Sequence, residues 1–151
     1  MRDEFQLVDR IEAYQASRSV RAWKRTSGQK VSWQADGDQS AMPANLVLES
    51  LCQACGWLVV LSTDGTKRAA LASVATVEFH DTVRLADPLL LEATVTTMSD
   101  EMAVMSGRVT QAGRLILVAD DIMCVLIDAE ILDDPLDVDR VARHLTRSDA
   151  A

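Results

Sequence analysis

Residues Ala44 to Leu61, ANLVLESLCQACGWLVVL, read as one helix that is apolar almost all the way round. Such a helix needs a surface that encloses it. Pro43 fits its first turn, where a missing N–H costs nothing. A Gly-containing turn between Asp64 and Thr66 is expected to end it. Within this apolar cylinder Asn45, Glu49 and Gln53 recur at every fourth position, so they share one narrow face. A carboxylate on such a helix is the feature the rest of the chain has to accommodate.

The remainder supplies strands. Arg68 to Phe79, Leu89 to Met98, Met102 to Thr110 and Arg114 to Ile127 are strand-like. The last two flank QAGR and read as a hairpin. Leu89, Leu91, Ala93 and Val95 alternate with Leu90, Glu92, Thr94 and Thr96, the pattern of an antiparallel sheet packed on one face. Ser19 to Thr26 suits a further strand, Lys30 to Gln34 a continuation after a turn at Ser27-Gly28, and Phe5 to Ile11 a short helix or strand. DDPLDVDRVARHLTR reads as a second helix, with Asp134 as its cap and Pro135 at its first position. His144 then falls at the end of that helix. The expected architecture is α+β: an antiparallel sheet of five to six strands wrapped around one long helix, with a short C-terminal helix. Residues 1–132 would form the main domain and 133–151 its helical extension. A second copy would cover an exposed sheet edge.

Charge narrows the partners. The net charge of −8 disfavours nucleic acid. Residues 17–35 nonetheless hold Arg18, Arg21, Lys24, Arg25 and Lys30 and no acid. Scattered surface charge explains this stretch adequately; steering of an acidic partner is the sharper reading. No apolar run reaches the roughly 18 residues of a membrane span without polar interruption, and the first residues lack the apolar core of a signal peptide, so a cytoplasmic location is expected. Cys52 and Cys55 lie inside the apolar helix without a second pair, and read as small buried side chains rather than as a redox or zinc site. His80 and His144 are too isolated to suggest a metal; no cofactor is expected.

Chemistry concentrates at the first half of the long helix. A carboxyl desolvated in an apolar tunnel favours its neutral form, which suits donation of a proton to a departing hydroxide. The free N–H groups of the first turn, beginning with Ala44, can accept a carbonyl oxygen that gains negative charge. The alternatives are a stripe facing open solvent, or a Glu49 paired structurally to an arginine.

MPANLVLESLCQACG resembles the central-helix motif of the 3-hydroxyacyl-(acyl carrier protein) dehydratases. There Met-Pro-Gly opens the helix, and a Glu or Asp follows the glycine five residues on. Met42, Pro43, Ala44 and Glu49 keep that spacing, and Gln53 falls on the family's usual Gln. FQLVDRI, LASVATVEFHDTVRLADPL and DDIMCVLI resemble further segments in order, from about residue 5 to 128. The resemblance implies a hot-dog fold, dimerised edge to edge, with acyl tunnels between subunits. It implies Glu49 as the catalytic acid and a substrate site made by Met42, Ala44, Asn45 and Gln53. The substrate would be a thioester of acyl carrier protein or coenzyme A, both anionic, which draws attention to Arg18, Arg21, Lys24, Arg25, Lys67 and Arg68. The assembly would be a homodimer, a heterodimer or a higher oligomer.

The sequence departs from that family at one point. QADGDQSA replaces the run that carries the family's general-base histidine. Without a gap the position falls on Ala35; with one deletion it falls on Asp36. Ala44 stands for the glycine. A general base typically supplies about 10² to 10⁴-fold, roughly 3 to 5 kcal/mol. Three readings follow: a dehydratase or hydratase with Asp36 or Asp38 as a weaker base; a thioesterase using Glu49; or a non-catalytic acyl-binding or heterodimer subunit.

Overall fold

The computed structural model describes residues 7–26, 42–85, 87–132 and 135–147. Six antiparallel strands form one sheet: β1 (Arg10–Gln15), β2 (Ser19–Lys24), β3 (Lys67–Phe79), β4 (Leu89–Met98), β5 (Met102–Gln111) and β6 (Arg114–Asp128). Their order is β1-β2-β4-β5-β6-β3. The helix α1 (Ala44–Ser62) lies on this sheet and touches every strand from β2 to β6. Two further helices follow, α2 (Ala129–Leu132) and α3 (Pro135–Thr146), and α3 packs on β1 and α1.

The strands form where alternation predicts them. Leu89, Leu91 and Ala93 are buried while Thr94 and Thr96 are exposed, so β4 turns one face to the helix. The β5–β6 hairpin turns at Ala112 and Gly113, with φ of 49° and 81°, the two positive values that a type I′ turn demands. Asp64 and Gly65 take positive φ in the turn that ends α1, and the N–H of Gly65 closes on the carbonyl of Val60 at 2.9 Å.

Bulges curve the sheet around α1. The β5–β6 register shifts between Met105 and Gly107, opposite Asp121, whose φ is 51°. A bulge of this kind bends and twists its strand. At that bend Leu51 presses on the sheet. A Cβ added to Gly107 would lie 2.7 Å from the carbonyl oxygen of Glu92 and 3.0 Å from Leu51 Cδ1. A residue without a side chain is what lets the helix seat so closely. Leu51, Leu58, Leu89, Leu91, Met105 and Ile122 are among the largest fully buried side chains of the core.

Two expectations change. The N-terminal segment is a strand, β1, and it begins at Arg10, where pairing with Trp23 starts. The short α2 was not foreseen; four residues give no periodicity to read. The strand expected over Lys30–Gln34 and the cap at Asp134 lie outside the described residues. By length and composition α1 would also suit a membrane span, but half of it is enclosed within the fold.

The connection between β3 and β4 is fixed by one buried amide. Gln111 Nε2 donates to the carbonyls of Arg84 and Asp87 at 2.6 and 2.7 Å, and its Oε1 accepts from Arg84 N at 2.9 Å. Thr26 Oγ1 donates to the same Asp87 carbonyl at 2.8 Å.

Candidate active site on the first half of the central helix

The N-terminus of α1 begins after Pro43, whose carbonyl accepts from Leu46 N and Val47 N at 3.0 and 3.2 Å. The cap has no side-chain hydrogen bond, and no acidic residue occupies the first turn. Among the described residues the N–H groups of Ala44 and Asn45 have no acceptor. They carry the partial positive charge of the helix end, so an oxygen that gains charge is stabilised there.

The expected stripe is real. Ala44, Asn45 and Glu49 are exposed, and Leu48, Cys52 and Gln53 beside them are half-buried. Among the described residues Glu49 has no hydrogen bond and no ion pair, so the structurally paired alternative finds no support here. Among the described residues nothing encloses the carboxyl, so the desolvation expected of a tunnel is not seen there. Glu49 does act on its neighbour. Burial first, then the Glu49 carboxylate and Cys124, push the Cys52 thiol from 9.0 up to about 11. Cys55, enclosed in the core, moves the same way. These thiols are protonated at neutral pH, which agrees with their reading as small apolar side chains.

The other expected residues divide. Met42 is buried in the core under the start of α1. Gln53 Oε1 accepts from Leu7 N at 2.8 Å, tying the segment that leads into β1 to the middle of the helix. That tie was not legible in the sequence. Asp36 and Asp38 lie outside the described residues.

The basic stretch is not a free patch. Arg21 Nε lies 3.3 Å from Glu12 and 3.7 Å from Glu92, Lys24 lies 3.4 Å from Asp9, and Lys67 lies 2.6 Å from Asp128. Arg68 is buried and donates Nη1 to the carbonyls of Gly65 and Lys67, each at 3.0 Å. Neighbours distant in sequence thus neutralise Arg21, Lys24 and Lys67.

The sequence matches the Thioesterase superfamily over residues 47–117. Solved structures resemble the whole sheet and helix. The dehydratase heterocomplex ApeI:P from Xenorhabdus doucetiae superposes with a TM-score of 0.71 at 10% identity, covering 93% of this chain and 91% of the other. A putative thioesterase from Lactococcus lactis gives 0.69 at 12% identity, over 85% and 99%. A hypothetical thioesterase with coenzyme A from Streptococcus pneumoniae gives 0.59 at 16% identity, over 78% and 84%. The chain has the hot-dog fold. No curated protein matches the sequence. The hot-dog frame gives α1 its position, and the family match begins at Val47, inside that helix.

Proposed function

We propose that this hot-dog protein handles acyl thioesters at the first half of α1, with Glu49 as its acid–base group. The observation that carries the reading is the shared exposed face: a carboxyl at Glu49 that is unpaired among the described residues, just over one turn from the N–H groups of Ala44 and Asn45, which have no acceptor there either. A thioester carbonyl held by those N–H groups gains a partner for the charge that develops on its oxygen. The Glu49 carboxyl then reaches the acyl carbons beyond the carbonyl. For a 3-hydroxyacyl thioester, proton donation by Glu49 lets the hydroxyl leave as water, with Asp36 as the proposed base at the α-carbon. The dehydratase heterocomplex among the structural neighbours supports this reading. The carrier would be acyl carrier protein or coenzyme A.

The cover over Glu49 is proposed to be a second subunit joined along β3. That edge strand runs 13 residues, and its middle, AALASVATV, carries no charge to keep another strand away. Leu71 and Phe79 on it are 50% and 51% exposed. Because α1 packs on β3, a partner paired at this edge lays its own surface next to the helix and excludes water from the stripe. The partner is a second copy or a related chain that supplies the missing histidine.

Thioester hydrolysis is the second reading, favoured by the superfamily match over 47–117. Here Glu49 activates water or attacks, and the same N–H groups hold the oxyanion. Incubation with a 3-hydroxyacyl and an enoyl thioester, followed by mass spectrometry, separates the two. Gain or loss of water indicates dehydration chemistry; release of free acid indicates hydrolysis. Glu49→Gln is expected to lower either rate by about 10² to 10⁴-fold, and an unchanged rate removes Glu49 from the chemistry. Tight acyl binding without turnover would leave the chain as the non-catalytic partner subunit.

A further inference from the structure

Away from the Glu49 face, a cleft of about 470 Å³ opens where β1 begins, β2 ends and β4 begins. The last turn of α3 forms its far wall. Arg10, Arg25, His144 and Arg147 line it, with Asp9 as the acid among them and Trp23 and Pro88 as apolar walls.

The charges do not balance. Asp9 Oδ2 is already engaged, accepting from Arg25 N at 2.6 Å and from Lys24 Nζ at 3.4 Å. Among the described residues the side chains of Arg10, Arg25 and Arg147 enter no ion pair, although the chain as a whole carries −8. Arg10 Nε is enclosed without a hydrogen-bond partner. Leaving a buried guanidinium nitrogen unsatisfied is costly. Crowding three guanidinium-bearing side chains around one cleft adds repulsion. The helix dipole accounts for His144 in the last turn of α3, but not for Arg10 or Arg25, which come from other elements.

An anion with several oxygens offsets the crowded positive charge of the guanidinium groups that line the cleft. The guanidinium fork matches phosphate oxygens two at a time. Arg10 stands directly opposite Trp23 on the β1–β2 ladder, and the Trp23 indole N–H reaches Glu12 Oε1 at 3.4 Å, which steadies the ring. The cleft therefore sets cationic groups beside a fixed aromatic wall. Its volume lies in the range of small-molecule sites rather than that of a bare ion.

We propose that this cleft binds a nucleoside phosphate, its phosphate held by Arg10, Arg25 and Arg147 and its base against Trp23 and Pro88. The site lies apart from the Glu49 face of α1, and α3 lies outside the residues matched by the superfamily.

The test uses the full chain labelled with ¹⁵N, reading the Trp23 indole resonance, assigned through Trp23→Phe. Adenosine 3′,5′-bisphosphate is expected to shift that resonance saturably, with half-saturation below roughly 1 mM at about 0.1 M salt. Arg147→Glu, at an exposed helix end, should weaken binding about tenfold or more. Arg108→Glu, an equal charge change elsewhere on the sheet, should not. Titration with coenzyme A distinguishes the source: a matching shift identifies the head of that carrier, and its absence identifies a free nucleotide. No shift by the bisphosphate, or equal loss in both charge variants, overturns the site. Inorganic pyrophosphate binding as tightly as the bisphosphate overturns the nucleoside assignment.

Discussion

From Ala54 to Val60, α1 shows almost no surface: Ala54, Cys55, Leu58 and Val59 are wholly enclosed. From Ala44 to Gln53 the same helix is covered on one side only, where Val47, Ser50 and Leu51 face the sheet and Asn45 and Glu49 face outward. One continuous hydrogen-bonded cylinder thus serves two purposes. The enclosed half contributes most of its burial to stability, roughly 25 cal/mol for each Å² of apolar surface removed from water. The open half gives up some of that burial and displays a carboxyl and two N–H groups that have no partner among the described residues. Anchoring at one end makes polar groups affordable at the other.

Substitutions can break this contrast. Leu58→Ala, in the enclosed half, should cost about 2 to 5 kcal/mol in chemical denaturation; a cost under 1 would mean the enclosure is looser than described. Gly107→Ala should cost about 1 to 3 kcal/mol, since the new Cβ meets the Glu92 carbonyl and Leu51, and Leu51→Ala in the same chain should recover part of it. Gln53→Ala should cost about 1 kcal/mol by releasing Leu7 N, with faster amide exchange at Leu7 as its signature. A smaller effect comes from Cys52. Its thiol ionises near pH 11 in the fold against 9.0 in the unfolded chain. The unfolded state therefore loses its proton first, and stability should fall between pH 9 and 11. Cys52→Ala should flatten that part of the profile. Glu49→Gln should change stability least, by under about 0.5 kcal/mol, while turnover falls; a large loss of stability would put Glu49 in the framework rather than in the chemistry.

The fold was readable wherever one local period dominated. Leu89–Met98 is bounded as the alternation predicts, because one face of β4 is buried and the other is wet. The central helix was readable because nearly all of its residues are apolar, and the β5–β6 turn because of Gly113. The face shared by Asn45 and Glu49 followed from helical geometry alone. What stayed hidden depends on partners distant in sequence. Gln53 also accepts from the backbone of Leu7, a contact that no pattern announces. Arg21 and Lys67 looked open because Glu12, Glu92 and Asp128 lie across strands from them. Arg10 and Arg147 come from opposite ends of the chain and meet only when α3 folds back onto β1. Bulges such as that at Asp121 were equally silent, since aspartate is not a residue that usually advertises positive φ within a strand.

The neutral middle of β3 bears on how the protein behaves during synthesis. A long uncharged strand edge is a template for any other strand, including those of unrelated or half-folded chains. If a second subunit pairs along β3 as proposed, a chain made without it is expected to precipitate or to be recovered in mixed aggregates. Co-expression with that partner should then raise the soluble yield without altering a single residue.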